Sequence, residues 1–188
     1  MTSYKRPSVE EALRDVKDHR LSSVLIPLYV HNDEIFTSLM LRPKYKGVHS
    51  AQVSFPGGKK EGEESPEQTA LRESHEELGI FPDAVEIIGS LSQVFIPPSR
   101  FLVTPFVGVT RQRPDFNLDP IEVDQLIEVP LRTLFDDAIE SEQEIQLPNG
   151  RGNIIAPCFA IDGHIVWGAT AMIISEFKEI AKSGLDNL

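Results

Sequence analysis

The chain has 188 residues, of which 40% are hydrophobic and 25% are charged, and its net charge is −11. These values are ordinary for one globular domain over residues 1–188, and the acidic balance argues against a nucleic-acid-binding surface, which is normally basic. No apolar run approaches the roughly 20 residues that cross a bilayer, and no signal-peptide pattern opens the chain. We therefore expect a cytoplasmic protein with neither a membrane nor a nucleic acid as partner.

The first third of the chain predicts a helix followed by strands. Pro7 and the apolar residues at helical spacing after it indicate a short amphipathic helix within 7–19. Three extended segments are then expected, at 21–30, 34–42 and 51–55. The last of them ends in Pro56-Gly57-Gly58, a sequence typical of a turn because glycine permits unusual backbone angles.

The next segment has the sequence signals of a helix with defined ends. Ser65 is a typical N-cap residue, and Pro66 suits the first helical position. Gly79 lies where a left-handed C-cap is expected. The spacing therefore predicts a helix over 66–78.

The remainder of the chain predicts further strands and two helices. We expect strands within 84–96, 101–110 and 121–129, a short helix at 130–138, strands on either side of Asn149-Gly150, a turn at Asp162-Gly163, and a final helix over 170–184. Residues 111–120 are polar and turn-rich, as in a loop. The whole pattern predicts an α/β fold, with a mixed sheet packed between helices.

Three glutamates lie on one face of the helix predicted at 66–78. Glu73, Glu76 and Glu77 stand at i, i+3 and i+4, where like charges weaken an isolated helix by about 0.2–0.5 kcal/mol per pair. A bound divalent cation reverses the sign of that interaction, and carboxylate oxygens suit Mg²⁺ or Mn²⁺. The alternative for any glutamate-rich helix is a solvated surface.

The spacing of the surrounding residues favours the metal site. Residues 58–80 fit the pattern G-x5-E-x7-R-E-U-x-E-E-x-G-U, where U is a bulky aliphatic residue, and the one departure is Ser74 at the first U. This pattern resembles the Nudix box, the signature of the Nudix hydrolases. The resemblance implies a Nudix-type α/β/α sandwich and a metal-dependent pyrophosphohydrolase.

The same resemblance implies roles for individual residues. Glu73, Glu76 and Glu77 would bind the metal ions, with the backbone carbonyl of Gly57 as a further ligand. Arg72 would orient one of these carboxylates, so that the catalytic set is Arg72 with the three glutamates. Glu64 would pair with the arginine. The general base stays open between a box glutamate and an acidic residue from a later loop. The later candidates are Glu122, Asp124 and Glu142, and for each of them an ordinary surface position is the favoured interpretation.

The segment before the box narrows the expected substrate. Residues 39–61 resemble the corresponding segment of the coenzyme A pyrophosphatase subfamily, through Arg42, His49, Gln52 and the run Ser54–Lys59. Two positions depart from that pattern: Pro43 replaces a serine, and Ala51 replaces a glycine. The resemblance implies cleavage of coenzyme A to 3′,5′-ADP and 4′-phosphopantetheine.

Four residues are candidates for substrate binding: Arg42, Lys44, Gln52 and Gly58. Arg42 and Lys44 could supply a cation for the 3′-phosphate of coenzyme A. Two alternatives stay open, namely a Nudix hydrolase for ADP-ribose, dinucleotides or a similar nucleoside diphosphate derivative, and a catalytically silent nucleotide-binding module. The retained glutamates favour an enzyme, and a homodimer is compatible with the sequence.

Overall fold

The computed structural model describes residues 9–14, 18–44, 50–146 and 152–185. Its first helix is α1, Val9–Arg14, and the long hairpin of β1, Arg20–His31, and β2, Glu34–Leu41, follows. The hairpin turns at Asn32 and Asp33, which have φ angles of 50° and 60°. Both angles are positive, as a two-residue type I′ turn requires, and asparagine and aspartate tolerate them better than most residues.

The described strands form a large mixed sheet and a smaller antiparallel one. The large sheet continues with β3 Val53–Ser54, β4 Gly57–Lys59, β5 Glu86–Ser90, β6 Val94–Ile96, β7 Phe101–Thr110 and β8 Gln125–Pro130. Its order is β3-β2-β1-β7-β5, and β4, β6 and β8 pair with β1, β7 and β2. Only the β1–β7 pairing among these is parallel.

The second sheet lies in the C-terminal part of the chain. It contains β9 Glu140–Gln146, β10 Asn153–Ile161 and β11 His164–Trp167 in the order β11-β10-β9. The short helix α3, Leu131–Leu134, precedes it, and α4, Gly168–Leu185, follows it. The predicted turn at Asn149-Gly150 lies outside the described residues, as do residues 7, 8 and 15–17 of the predicted helix at 7–19.

The prediction of a turn at Pro56-Gly57-Gly58 is wrong in part. Gly57 and Gly58 belong to β4, which pairs antiparallel with β1. The pairing is so close that a Cβ at Gly57 would lie 2.3 Å from the carbonyl oxygen of Ser23. Gly57 therefore reflects tight strand packing, which sequence alone does not distinguish from a turn. The strand predicted at 121–129 also begins later, at Gln125.

The helix with predicted ends, α2, spans Pro66–Leu78 as expected. Ser65 Oγ accepts from the backbone N–H of Gln68, and the Gln68 side chain accepts from the backbone N–H of Ser65, which forms a capping box. Gly79 ends the helix with φ 73°. The helix is therefore fixed at both ends by its own local sequence.

Two hydrophobic clusters cover opposite faces of the large sheet. The successive residues Leu39 and Met40 of β2 point to opposite faces, and both are fully buried. Leu39 joins the larger cluster with residues of the second sheet and of α4, whereas Met40 joins a cluster with Leu78 and Ile80 at the end of α2. The expected mixed sheet between helices is confirmed. In the described residues, no helix has the length and apolarity needed to span a membrane.

Candidate active site

The site is built where the C-terminal half of α2 packs against β4. Glu77 of α2 is only 1% exposed, although it carries a carboxylate. The backbone N–H of Gly57 donates to its Oε2 at 2.7 Å, and Nη2 of Arg42 donates to its Oε1 at 2.9 Å. Both carboxylate oxygens therefore have a donor, which is what makes a buried carboxylate tolerable.

Glu73 lies one helical turn before Glu77 and packs on the next residue of β4. A Cβ at Gly58 would lie 2.5 Å from the Glu73 carboxylate, so the absence of a side chain there leaves the space that this carboxylate fills. Gly58, which we predicted to bind substrate, thus has a second use in seating Glu73. Its contact with substrate stays a prediction.

A third carboxylate reaches the site from a loop between β7 and β8. One carboxylate oxygen each from Glu73, Glu77 and Glu122 lies within 4.8 Å of the others. In the described part of the chain, this is the one group of three or more acidic, histidine or cysteine side chains that could hold a metal ion. Carboxylate oxygens in such a group suit a hard divalent cation. The donor set therefore fits Mg²⁺ or Mn²⁺.

The loop that carries Glu122 is attached to the end of α2 by backbone hydrogen bonds. The N–H groups of Asn117 and Asp119 donate to the carbonyls of Leu78 and Glu77, and the carbonyl of Asp119 accepts from the N–H of Glu122. A Cβ at Gly79 would lie 2.8 Å from the backbone nitrogen of Asn117. Gly79 is therefore required by the approach of this loop as well as by its own left-handed conformation.

Arg72 holds the N-terminal side of the site. Its Nε and Nη2 donate to the two oxygens of Glu64 at 3.0 and 2.9 Å, which is a bidentate pair. Its Nη1 donates to Glu73 at 3.0 Å and to Glu76 at 2.8 Å, and Nη2 also reaches the carbonyl of Lys59 at 3.1 Å. The predicted pairing of Arg72 with Glu64 and with a box carboxylate is present in this geometry.

Glu76 lies apart from the other two glutamates of α2, and its role as a metal ligand stays a prediction. Its side chain is 55% exposed and pairs with Arg72. It does not belong to the group formed by Glu73, Glu77 and Glu122. The three glutamates of α2 thus have two orientations. Glu73 and Glu77 face β4 and the loop, and Glu76 faces outward.

Burial dominates the electrostatics of the two inward glutamates. It raises the pKa of Glu77 to about 7, against the opposing effects of Arg42 and the Gly57 amide, while Glu73 and Glu122 add to the rise. Burial likewise raises the pKa of Glu73, with Arg72 opposing it. The hydrogen bonds from Arg72 have the reverse effect on Glu64 and hold its pKa at about 2. A cation bound between Glu73 and Glu77 would relieve this cost of burying charge.

Ser74, the departure from the box pattern, is accommodated inside α2. The residue is fully buried, and its Oγ donates to the carbonyl of Ala70 at 2.6 Å. This back-bond to the residue four positions earlier satisfies the hydroxyl within the helix. The Ser74 hydroxyl therefore has a hydrogen-bond partner within its own helix.

The residues predicted from the segment before the box lie around the site in different ways. Arg42 donates to Glu77, as described, and also to the carbonyl of Gly57 at 2.9 Å. Its backbone N–H donates to the carbonyl of Gln52 at 3.0 Å. Lys44 is exposed, and Gln52 is half-buried. His49 lies outside the described residues. Substrate binding by Arg42, Lys44 and Gln52 stays a prediction.

Among the later acidic residues, sequence reasoning could not separate Glu122 from its alternatives. Asp124 is exposed and its backbone N–H pairs with the carbonyl of Leu41, and Glu142 lies on the exposed strand β9 of the second sheet. Glu122 is brought to Glu77 by loop hydrogen bonds that no local pattern encodes. The nearest signal is its place in a turn-rich segment just before a strand.

Comparison with known proteins identifies the family. Residues 19–148 match the model of the NUDIX domain. The chain is 33% identical over 170 residues to a protein named uncharacterized Nudix hydrolase NudL from Pectobacterium atrosepticum, covering 88% of this chain and 84% of that protein. It is 31% identical over 172 residues to the protein of the same name from Escherichia coli K12, covering 91% and 86%.

A solved structure supports the same fold. The Nudix hydrolase RenU from M. smegmatis has a TM-score of 0.61 to this chain at 15% identity, covering 88% of this chain and 87% of that one. This likeness bears on architecture alone. The domain match and the relatives at or above 30% identity show that the chain belongs to the family of Nudix hydrolases.

Proposed function

We propose that the chain hydrolyses the diphosphate bond of coenzyme A or its derivatives with the help of Mg²⁺ or Mn²⁺. The products would be 3′,5′-ADP and 4′-phosphopantetheine, or the acylated phosphopantetheine. The hydrolytic part of the proposal is carried by one observation, the grouping of Glu73, Glu77 and Glu122 within 4.8 Å. The choice of coenzyme A is supported by the resemblance of residues 39–61 to the coenzyme A pyrophosphatase subfamily.

The divalent ion would be held by Glu73, Glu77 and Glu122, with the carbonyl of Gly57 as a further candidate. When bound, it would neutralise phosphate oxygens and lower the pKa of a bound water. We assign Glu122 to this site on its position, in addition to the two inward glutamates of the box. Glu76, which pairs with Arg72, is the weaker candidate for a metal ligand.

The other residues of the site would fix these carboxylates. Arg72 donates to Glu73 from a guanidinium that Glu64 already holds at two points, so the direction of the donated hydrogen bond is set before any ligand binds. The Gly57 amide fixes the second oxygen of Glu77. Preorganisation of this kind reduces the cost of assembling the site during the reaction.

The substrate is tested with a panel of compounds and mass-resolved products. Coenzyme A, acetyl-CoA, ADP-ribose, NADH and diadenosine tetraphosphate would each be incubated with the protein and Mg²⁺ or Mn²⁺. We expect coenzyme A or its acyl form to be cleaved with the highest kcat/KM. Cleavage of ADP-ribose or a dinucleotide without turnover of any coenzyme A species would mean that the chain is a hydrolase with a different substrate from the one proposed.

The same panel distinguishes an enzyme from a binding module. If none of the compounds is cleaved while Mn²⁺ and a nucleotide still bind, the chain acts by binding. The E77Q variant provides the control, because it should bind nucleotide and lack whatever activity the unaltered chain shows.

A further inference from the structure

One nitrogen of Arg42 contacts two groups that we consider as metal ligands, the Glu77 carboxylate and the Gly57 carbonyl. Its Nη2 lies 2.9 Å from the carbonyl oxygen of Gly57 and 2.9 Å from Oε1 of Glu77. The guanidinium thus brings a positive charge to the buried carboxylate and occupies the side on which the two oxygens converge. Arg42 thus offsets the negative charge of these two oxygens through hydrogen bonds, as a divalent ion would do by coordination.

Arginine and a metal ion would compete for these oxygens, because both bring positive charge to them. Mg²⁺ binds oxygen at about 2.0–2.1 Å, so an ion on Gly57 O and Glu77 Oε1 would face a guanidinium placed on the same pair of atoms. Two positive charges at that separation repel each other strongly where water is excluded. This repulsion favours displacement of Nη2 when a metal ion binds.

The position of Arg42 in the fold allows that movement. It directly follows β2, and its side chain is 21% exposed whereas that of Glu77 is 1% exposed. Its backbone N–H is held by the carbonyl of Gln52, so the main chain can stay in place while the side chain turns. A guanidinium released from a carboxylate next to a diphosphate site has a suitable new partner, because its planar donors match phosphate oxygens.

We propose that Arg42 and the divalent ion exchange places on Glu77 and Gly57, and that the released guanidinium binds the diphosphate of the substrate. This inference rests on the proposed function and goes further, because it makes Arg42 a positioning residue in the metal-free protein and a substrate ligand in the loaded one. It predicts opposite effects of one substitution: without Arg42, the metal binds more tightly and the diphosphate binds more weakly. A residue needed only for folding would weaken both.

The test measures the two affinities separately and needs no hydrolysis. Mn²⁺ binding is followed through the electron paramagnetic resonance signal of the free ion, and binding of α,β-methylene-ADP at saturating Mn²⁺ is followed by calorimetry. The variants are R42Q and the control R132Q. Arg132 is 74% exposed and pairs with Glu34 on the surface, so its loss removes the same unit charge far from the glutamates.

We expect R42Q to bind Mn²⁺ about tenfold more tightly than the unaltered chain, within the usual range of coupling between sites, and to bind α,β-methylene-ADP about tenfold more weakly. R132Q should stay within about twofold in both measurements, as expected for a surface pair. Equal or weaker Mn²⁺ binding by R42Q than by R132Q would overturn the exchange. A crystal structure with Mn²⁺ offers a second readout: the exchange is wrong if the ion binds Glu77 while Nη2 keeps both hydrogen bonds.

The two proposals fail in distinguishable ways. If Mn²⁺ binds neither the unaltered chain nor R42Q, the proposed metal site is wrong, and the proposed exchange is wrong as well. If Mn²⁺ binds both equally, the metal-dependent hydrolase stands and only the exchange is wrong.

Discussion

The backbone amide of Gly57 and the carboxylate of Glu77 are joined by a 2.7 Å hydrogen bond across 20 residues of sequence. This bond fixes the end of α2 to β4 at the centre of the site. A neutral side chain of the same shape can keep this hydrogen bond while losing the negative charge of Glu77. One substitution can therefore test the charge separately from the hydrogen bond.

The first prediction is that E77Q stays folded and loses activity. Glutamine has nearly the same volume and keeps an oxygen that can accept from Gly57, whereas its neutral amide is a poor ligand for Mg²⁺. We expect kcat/KM to fall by at least about 100-fold, measured on whichever compound of the panel the unaltered chain cleaves. The control is E67Q, on the exposed first turn of the same helix. Equal activity of E77Q and E67Q would contradict the assignment.

The second prediction separates Glu122 from Glu76. Since Glu122 joins Glu73 and Glu77 within 4.8 Å and Glu76 pairs outward with Arg72, E122Q should weaken Mn²⁺ binding more than E76Q does. We expect a loss of about tenfold or more for E122Q, the scale on which groups around a metal act. Both affinities can be measured without substrate. A larger loss in E76Q would show that the outward glutamate is the better ligand.

These two predictions mark what local sequence could and could not establish. The bounds of α2 could be predicted, because Ser65, Pro66 and Gly79 act through contacts within the helix itself. The place of Glu122 could not, because it depends on the hydrogen bond from the Asp119 amide to the carbonyl of Glu77, which joins distant segments.

Arg42 shows the same limit. Its type and spacing indicated a cation for a phosphate, and only the fold reveals that β2 delivers it to Glu77 and to the carbonyl of Gly57. The turn predicted at Gly57 and Gly58 fails for a related reason, since both loops and closely packed strands need residues without a side chain.

The third prediction concerns pH and metal together. Burial raises the pKa of Glu77 from its usual 4.5 to about 7, so between these values the folded protein keeps a proton that the unfolded chain has lost. The resulting stability is fully present below pH 4.5 and is lost as the pH rises through about 7. In EDTA, the free energy of unfolding should therefore fall over this interval by on the order of 1 kcal/mol or more.

Millimolar Mg²⁺ should reverse this trend, because the ion binds the ionised carboxylate and stabilises the folded state. Thermal melts at pH 5 and pH 8, with EDTA or Mg²⁺, give the four values needed. The gain from Mg²⁺ should be larger at pH 8, and E77Q should show little of the pH-dependent loss. An equal gain at both pH values would argue against a metal at Glu77.

The last prediction concerns Ala51, at the position where the coenzyme A pyrophosphatase pattern has glycine. Ala51 has a φ angle of 53°, and its N–H donates to the carbonyl of Pro43 at 3.2 Å. The left-handed conformation costs an L-residue about 1–2 kcal/mol, which glycine avoids. Glycine also makes the unfolded chain more flexible, at a cost of about 0.4–1 kcal/mol. We therefore expect A51G to stabilise the protein by about 0.5–1 kcal/mol.

The matched control is A138G. Ala138 is also exposed and lies in a 3₁₀ turn, Asp137–Ile139, without a positive φ angle, so there glycine brings only the entropic cost. Urea titrations of both variants should move the midpoint in opposite directions, upward for A51G and downward for A138G. A downward shift for A51G would mean that the backbone at Ala51 is not strained. The glycine of the subfamily pattern would then need another explanation, such as close approach of the substrate to the backbone beside Gln52.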